Sequence, residues 1–543
     1  MASIRQDCET RLSGMKAVRA DYEDEVRNIA RFAQPARSRF LATERNKGGK
    51  RRQANNRLLD PHGIEAFRTL TNGMTSGLSS ASTPWFALKV RDDLMEEPGV
   101  RAWLSEVETR MYAFLASTNF YSAVKTGYAE MGLFGTEATV MVEHPVHGAV
   151  CHALTFGEYW VSLSDAMRPD TLYRICPMTA RQCVQAFGLD KVSNTVKSAF
   201  ERKNHELEVE VYQAIEPDPG GRFPFRSVYW DAGDDSERIL RITGYQEQPF
   251  WSPRWDVVGG DVYGVSPGME ALPALRELQL QTKRRNEAID LMVHPEKVVP
   301  PHLRLTGQPR SVVTGNGVLR DNVFVPYQMP YQAVDAIEQS ADKCKTQINS
   351  LSYADLFNAI TNMQGIQPRN IEEIASRNEE KLIQLGPVIE RVSTEKLSPG
   401  VDRTFGIMER GRLLPPAPDA LREADVDVEF VSILTQMQRM VGIGQIERTV
   451  SFVGNLAGSF PDAADKLDID QAIDEYADRA GTPSNIVRST ADAAKLRDGR
   501  AAQMQQAQMA ETLPAVRDGA DAARLLSETD VGGAPLLDTL LGA

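Results

Sequence analysis

The stretch 266–357 constrains the fold most, because it predicts two long helices that one globular core cannot cover on all sides. The first helix is predicted from Ser266 to about Met292, and its centre, Gln281–Glu287, is polar all round. Its apolar positions are Leu272, Leu275, Leu278, Ile289 and Met292. A helix without an apolar face at its centre is not buried inside a single domain. The middle of this helix is therefore expected to lie outside any one core.

The second helix is predicted from about Ala333 to Phe357 and carries a thin apolar stripe. Its members are four, three, four and three residues apart, which makes a narrow packing seam. They are Ile337, Ala341, Cys344, Ile348 and Leu351. A seam this narrow is suited to one neighbouring helix.

Between the two helices, 298–331 is rich in Val and Pro and predicts a small β segment. It contains Thr314-Gly315-Asn316-Gly317, whose Asn-Gly pair accepts positive φ and favours a two-residue hairpin. An antiparallel helix pair is therefore expected to project a β tip away from the body.

Proline and apolar spacing predict the other elements. Gly386-Pro387 is expected to bend or stop a helix over Ile371–Val392, because proline lacks an amide donor and clashes with the preceding turn. Pro415–Pro418 predicts a boundary before a last helical unit. Spacing alone predicts an amphipathic helix over the first thirty residues, a helix over Val100–Thr118, and strands at Ala138–Val142 and Tyr159–Leu163.

The order helix, β tip, returning helix and loop resembles the stem and clip of the head-to-tail connector, or portal, proteins of short-tailed bacteriophages. Short similar segments follow one another from about Leu58 to Gln506. They include Leu59–Ala66, Thr83–Leu88, Ser117–Phe120, Leu133–Thr136, Ile371–Ile374, Gly411–Pro415, Phe430–Arg439 and Arg488–Thr490. Each is weak alone, and their order carries the resemblance.

The resemblance implies an α+β portal fold with a mixed α/β wing, a two-helix antiparallel stem, a small β-containing clip and a helical crown. The implied boundaries are 1–265 for the wing, 266–292 and 332–357 for the stem helices, 293–331 for the clip, 358–414 for the tunnel loop and long wing helix, 415–495 for the crown, and 496–543 for a partly mobile helical tail.

The implied role is a non-enzymatic ring of about twelve copies at one capsid vertex. Double-stranded DNA would pass through it during packaging and ejection, and no cofactor is expected. The implied partners are the packaging terminase, tail adaptor proteins, and capsid and scaffolding proteins. The protein is expected to be assembled in the host bacterial cytoplasm and to end in the virion.

Three sets of residues are candidates for function under this resemblance. Candidate basic rings of the DNA channel are Lys283, Arg284, Arg285, Lys343 and Lys345, although solvated outer-face charges explain them equally well. The apolar stripe of the second helix is the candidate for subunit packing. Candidate tunnel-loop residues are Asn358, Asn362, Met363, Gln364 and Gln367, with an ordinary helix-helix turn as the alternative.

Charge is unevenly distributed along the chain. Residues 1–57 contain 14 Lys and Arg against 7 Asp and Glu, whereas the whole chain has 61 against 74 and a net charge of −13. The remainder is therefore strongly acidic. DNA carries a phosphate about every 1.7 Å of duplex, so an acidic surface repels it and suits a conduit better than a tight binder.

Neither membrane insertion nor a disulfide framework is predicted. No apolar run approaches the roughly 18 residues of a membrane span, and the sequence start has no apolar signal-peptide core. The five cysteines, Cys8, Cys151, Cys176, Cys183 and Cys344, are far apart without a Cys-x-x-Cys pair. Reduced, mostly buried thiols are expected.

Two other classes of protein remain open, a tail adaptor without a channel and a metal-dependent nuclease or hydrolase. The hydrolase would use His144, His147, Cys151 and His152, or the carboxylates of Asp425–Glu429. A hairpin turn and a half-buried edge strand are the favoured interpretations of these two segments. No Gly-x-x-x-x-Gly-Lys-Ser/Thr phosphate loop and no Gly-x-Ser-x-Gly motif are present.

Overall fold

Helices alternate with small antiparallel sheets along the chain. The computed structural model describes residues 4–37, 58–91, 94, 97, 99–234, 238–294, 330–361, 379–421, 427–432, 434, 443–457, 460, 466–480, 493, 496–497 and 499–500. The chain forms two compact units, Met1–Val441 and Gly442–Ala543. The mixed α and β composition that was predicted is confirmed. None of the described helices is both long and apolar enough to span a membrane.

The first unit begins with helices. The amphipathic helix predicted at the start is confirmed as α1, Ile4–Phe32. The helix predicted over Val100–Thr118 is confirmed at Val100–Ser117. The elements in order are α1, a 3-10 turn at Pro35–Arg37, α2 at His62–Leu78, β1 at Phe86–Lys89, α3 at Val100–Ser117 and α4 at Phe120–Phe134.

The middle of the first unit is mostly β. The elements are β2 at Ala138–His144, β3 at Gly148–Leu154, β4 at Tyr159–Leu163, β5 at Pro169–Thr179, α5 at Ala180–Phe187, α6 at Asn194–Glu201, β6 at Glu208–Pro217, β7 at Phe225–Asp231, β8 at Arg241–Tyr245 and β9 at Phe250–Trp251. Strands β4 to β8 form a five-stranded antiparallel sheet in sequential order, and β3-β2-β9 form a second, three-stranded sheet. The strands predicted at Ala138–Val142 and Tyr159–Leu163 are confirmed as β2 and β4.

The five-stranded sheet is covered on both faces. Successive side chains of a strand point to opposite faces, so Val228 and Trp230 pack with α1 while Tyr229 packs with α5 and α6. On the α1 face, the Arg19 guanidinium lies 4.3 Å from the Trp160 ring centroid. Arg19 also donates to the Tyr159 carbonyl at 2.7 Å. The sheet is therefore the middle layer between α1 and the short helices.

The long helices follow the sheets. The elements are α7 at Pro267–Val293, α8 at Tyr331–Leu351, α9 at Ala354–Thr361, α10 at Glu379–Val392, a π-helical turn at Ser393–Leu397, α11 at Ser398–Arg410, a 3-10 turn at Asp419–Leu421 and β10 at Asp427–Phe430. The second unit contains α12 at Ile443–Ala457 and α13 at Ile469–Ala480. The predicted β segment 298–331 lies outside the described residues.

One predicted helix end is wrong. The second long helix ends at Leu351 rather than Phe357, because Tyr353 adopts a positive φ of 55° that interrupts the helix before α9. Of the bend or stop predicted at Gly386-Pro387, the stop is wrong, because helix α10 continues to Val392, its predicted end. A proline inside a helix costs one hydrogen bond, and packing of Leu385, Val388 and Ile389 in the main core offsets that cost.

The last predicted boundary also differs. β10 pairs antiparallel with β1, with Phe430 opposite Phe86. The Phe430 ring is stacked at 6.5 Å on Trp85, a core residue of the first unit. Residues after Pro415–Pro418 therefore still belong to the first unit, which ends at Val441.

Two buried ion pairs fix the π-helical turn. Glu395 Oε1 lies 2.7 Å from Arg254 Nη2, with both side chains at least nine-tenths buried. Lys396 pairs with Glu137, and its Nζ lies 4.2 Å from the Tyr128 ring centroid. Burial raises the pKa of Glu137 and lowers that of Lys396. A Cβ at Gly127 would overlap the Glu137 carboxylate, so glycine is required there.

We expect Lys396→Met to lower the free energy of unfolding by about 3–5 kcal/mol, because it leaves a carboxylate buried without its partner. Lys396→Met combined with Glu137→Gln should recover much of this loss. Urea denaturation of the four proteins forms a double-mutant cycle that measures the coupling. A loss in the double variant that equals the sum of the two single losses would show that the pair contributes no coupling.

A second buried carboxylate, Glu130 on α4, makes stability depend on pH. It accepts hydrogen bonds from the Thr155 hydroxyl at 2.9 Å and the Phe156 amide at 3.2 Å, and Arg37 Nη1 lies 3.5 Å away. Burial raises the pKa of Glu130 to about 7 despite these contacts. The folded state thus retains this proton at pH values where an unfolded glutamate, with a pKa of about 4.3, has lost it.

Stability contributed by Glu130 should therefore be complete below about pH 4 and fall as the pH rises towards 7, by on the order of 2–3 kcal/mol. Glu130→Gln cannot titrate and should remove that component. Chemical unfolding of both proteins at pH 5, 6, 7 and 8 measures the difference. A difference between them that stays constant across this range would contradict the assignment.

Candidate nucleic-acid interface

Helix α7 is fixed to the body at its start. Ser266 accepts a hydrogen bond from the Met269 amide at 3.1 Å and donates from its hydroxyl to the Leu133 carbonyl at 2.8 Å. Pro267 occupies the first turn, where its missing amide costs nothing. The bounds of α7, Pro267–Val293, agree with the predicted helix to within one residue.

Helices α7 and α8 pack against each other within one chain. Of the predicted stripe, Ala341, Cys344 and Ile348 are buried and belong to the main core. Leu351 is half-buried against that core, and Ile337 is half-buried. Burial of the three central residues thus needs no neighbouring subunit. A subunit contact through this stripe stays a prediction. Of its five residues, only Ile337 and Leu351 are partly exposed and could make that contact.

The five candidate cations do not lie on one face of their helices. An α-helix turns about 100° per residue, so Lys343 and Lys345 point about 200° apart, as do Lys283 and Arg285. Arg284 follows buried Thr282 by two residues, and Lys343 follows buried Ala341 by two residues. Arg284 and Lys343 are both exposed, and Arg284 lies one turn before Ala288, which is buried as well.

The other three cations are closer to acidic groups or to the core. Lys283 Nζ lies 3.6 Å from Glu287, and both side chains are largely exposed. Arg285 is half-buried. Lys345 Nζ lies 3.7 Å from both Asp60 and Asp342. An acidic neighbour offsets the charge that a phosphate would meet, so these lysines are weaker candidates than Arg284 and Lys343.

Gln279 on α7 is a buried amide that was not among the predicted site residues. Its side chain bonds to backbone groups of Leu59 and Asp60, which precede α2. Gln279 shares the face of Leu275 and Thr282, four and three residues away. A polar residue inside an apolar stripe was the available signal, because such a residue is usually buried with a partner.

Of the candidate tunnel-loop residues, only Asn358 lies within the described residues. Asn358 lies exposed within helix α9 rather than in a loop. Asn362, Met363, Gln364 and Gln367 lie outside the described residues. Their predicted position in a channel stays a prediction.

No group of three or more ligating side chains that could hold a metal ion is found in the described part of the chain. Asp425, of the second candidate cluster, lies outside the described residues. The predicted hairpin turn is confirmed between β2 and β3. The His144 ring accepts hydrogen bonds from the Val146 and His147 amides there, each at 3.2 Å. Cys151 and His152 are adjacent on β3, so they point to opposite faces. The predicted edge strand is confirmed over Asp427–Glu429.

Nearly the whole chain matches one known family. The profile of "Bacteriophage head to tail connecting protein" matches residues 5–487. This chain belongs to that family. The portal protein of Salmonella phage epsilon15 is 35% identical to this connector over 548 residues, covering 98% of the chain and 97% of the relative. The probable portal protein of Bordetella phage BPP-1 is 36% identical over 543 residues, covering 96% and 95%.

Similarity between the connector and solved structures is much weaker. The neck of an empty gene transfer agent particle, computed with C6 symmetry, gives a TM-score of 0.31 at 12% identity over 71% of this chain and 86% of that chain. A virion of the native gene transfer agent gives 0.28 at 11% identity over 74% and 86%. TM-scores this low support no conclusion about fold or assembly.

We expect Ala341→Leu in the connector to destabilise a single chain by about 1–3 kcal/mol, because extra methylene groups at a buried contact displace their neighbours. Exposed Glu338→Leu on the same helix is the control, with an expected change within about 0.5 kcal/mol. Urea unfolding at concentrations too low for association measures both. If Ala341→Leu affected only the associated protein, the stripe would belong to a subunit interface instead.

Proposed function

We propose that this connector is a portal, a closed ring at one vertex of a phage head through which double-stranded DNA is packaged and later ejected. The observation that carries the proposal is the family match over residues 5–487 together with about 35% identity to the epsilon15 portal along almost its full length. Identity spread over 97% of a relative supports a shared role for the whole chain. The role is structural rather than enzymatic.

The proposed channel wall is the α7–α8 pair as an antiparallel stem. Helix α7 has 27 residues and is therefore about 40 Å long. A dozen helices about 10 Å thick, set side by side, leave a bore of roughly 25–30 Å. The polar, exposed side of α7 is suited to a channel wall, which has water on both sides. In this arrangement 293–331 is the clip, and 358–414 contains the tunnel loop.

Charge supports passage rather than tight binding of DNA. The chain has a net charge of −13, and each basic side chain is repeated once per subunit in a ring. Arg284 and Lys343, whose side chains are exposed, are the proposed basic rings that centre the duplex. The acidic remainder repels phosphates. A few weak contacts on an acidic wall keep DNA centred without holding it.

The proposed partners follow from the position of a portal in the virion. The packaging terminase binds the clip during DNA entry, and tail adaptor proteins bind it afterwards. The crown, 415–495, faces the capsid interior, and capsid and scaffolding proteins surround the wing. Assembly takes place in the host bacterial cytoplasm before the ring becomes part of the head.

Ring formation is tested by electron microscopy and native mass spectrometry of the purified protein. We expect closed rings of about twelve subunits. A protein that stays monomeric at every concentration, yet binds tail components, would be the adaptor without a channel.

The DNA contacts are tested by replacing Lys283, Arg284 and Arg285 together with glutamate. Rings should still assemble, because these side chains are not part of the buried core, while DNA retained per head should fall severalfold through repulsion of phosphates. Quantitative DNA assay of purified heads measures this, with exposed Lys197→Glu on α6 as the control. Unchanged DNA content would remove these residues from the channel wall.

A further inference from the structure

Helix α2 meets α7 and α8 at a small polar cluster, which we name the Asp60 clasp: Asp60, His62, Gln279 and Lys345. Gln279 contributes from α7. Its Oε1 accepts hydrogen bonds from the amides of Leu59 at 2.8 Å and Asp60 at 3.2 Å, and its Nε2 donates to the Asp60 carbonyl at 2.7 Å. One buried amide thus satisfies three backbone groups of the segment that leads into α2.

The Asp60 carboxylate connects α2 with α8. Its Oδ1 accepts from the His62 amide at 2.8 Å at the start of α2, and its Oδ2 lies 3.7 Å from Lys345 Nζ. The His62 ring is in turn 3.3 Å from the Lys345 carbonyl. A carbonyl only accepts, so His62 Nε2 is the donor. Asp60, just before α2, thus binds the side chain of Lys345, and His62, at the start of α2, binds its backbone carbonyl.

The two lysines at this level of α8 have different surroundings. The Lys345 side chain is 33% exposed and lies beside a carboxylate that is itself 13% exposed. Lys343 is exposed and points about 200° away around the helix. A lysine beside a partly covered carboxylate attracts a distant phosphate less than a lysine without such a neighbour does, because the negative carboxylate offsets the positive charge of the lysine.

We propose that the Asp60 clasp positions the stem against helix α2, with Lys345 as a positioning residue that is withdrawn from DNA, and that Lys343 alone of this pair contacts the duplex. The DNA part of this inference rests on the proposed channel. The positioning part rests on the contacts of the four clasp residues. Asp60 thus has two effects, because it holds α8 and reduces the positive charge of the channel.

The matched pair Lys345→Gln and Lys343→Gln tests the clasp in the full-length assembled protein. Two readouts are needed, hydrogen exchange of the Asp60 and His62 amides, and the slope of log affinity against log salt for a DNA duplex. Lys345→Gln should speed exchange by at least about fivefold and leave the slope unchanged. Lys343→Gln should leave exchange unchanged and reduce the slope.

Asp60→Asn tests whether the charge of Asp60 affects DNA binding, which would not change if Asp60 had only a structural role. Asparagine keeps the size and the capping oxygen of Asp60 but removes its charge. Exchange of the His62 amide should again become faster, and the salt slope should become steeper because Lys345 then has one acidic neighbour, Asp342, instead of two. Asp342→Asn, which removes the other carboxylate near Lys345, should leave exchange at Asp60 and His62 unchanged.

The outcomes separate the clasp from the channel. If Lys345→Gln reduces the slope as much as Lys343→Gln and leaves exchange unchanged, the clasp is overturned. If Lys345→Gln speeds exchange while neither lysine changes the slope, the clasp stands and the proposed DNA contact of Lys343 is refuted. An Asp60→Asn protein with the exchange of the original protein also overturns the clasp.

Discussion

The packing of helix α7 against α1, α4 and α8 is the contact on which the rest of the first unit depends. Its N-terminal half is apolar on one side and enters the main core, and Ser266 binds the end of α4 through the Leu133 carbonyl. Its C-terminal half leaves that core. A helix that is buried at one end and polar beyond it can be rigidly held and still extend from the body, because only the buried end has to supply the stabilising free energy.

A few buried ion pairs position the elements of the first unit. The π-helical turn brings Glu395 and Lys396 into the interior, where Arg254 and Glu137 meet them. Arg403, on the following helix, is fully buried between Glu143 and Glu247. Such pairs contribute little net stability, but breaking one leaves a charge that water cannot reach. They therefore specify how the π-helical turn and α11 are placed on the β region.

The proposed channel needs this rigidity together with a surface that does not hold DNA. The net charge of −13 is compatible with the second requirement. Asp60 contributes to both, since it anchors α2 and lies beside Lys345. The same carboxylate can do both because the segment before α2 lies against α8.

The sequence by itself determined the long helices, the hairpin at His144–His147 and the strand at Asp427–Glu429, because apolar period and turn residues are local signals. It also carried the family resemblance, which depends on the order of short segments rather than on any contact. It did not determine that Ala341 and Ile348 are covered within one chain, that α10 passes through Pro387, or that β10 belongs with β1. Tertiary structure decided these, since each depends on a partner far away in sequence: α7, the main core and Trp85. Gln279 and Lys345 show the same limit, because their roles arise only where three helices bring distant polar groups within hydrogen-bond or ion-pair distance.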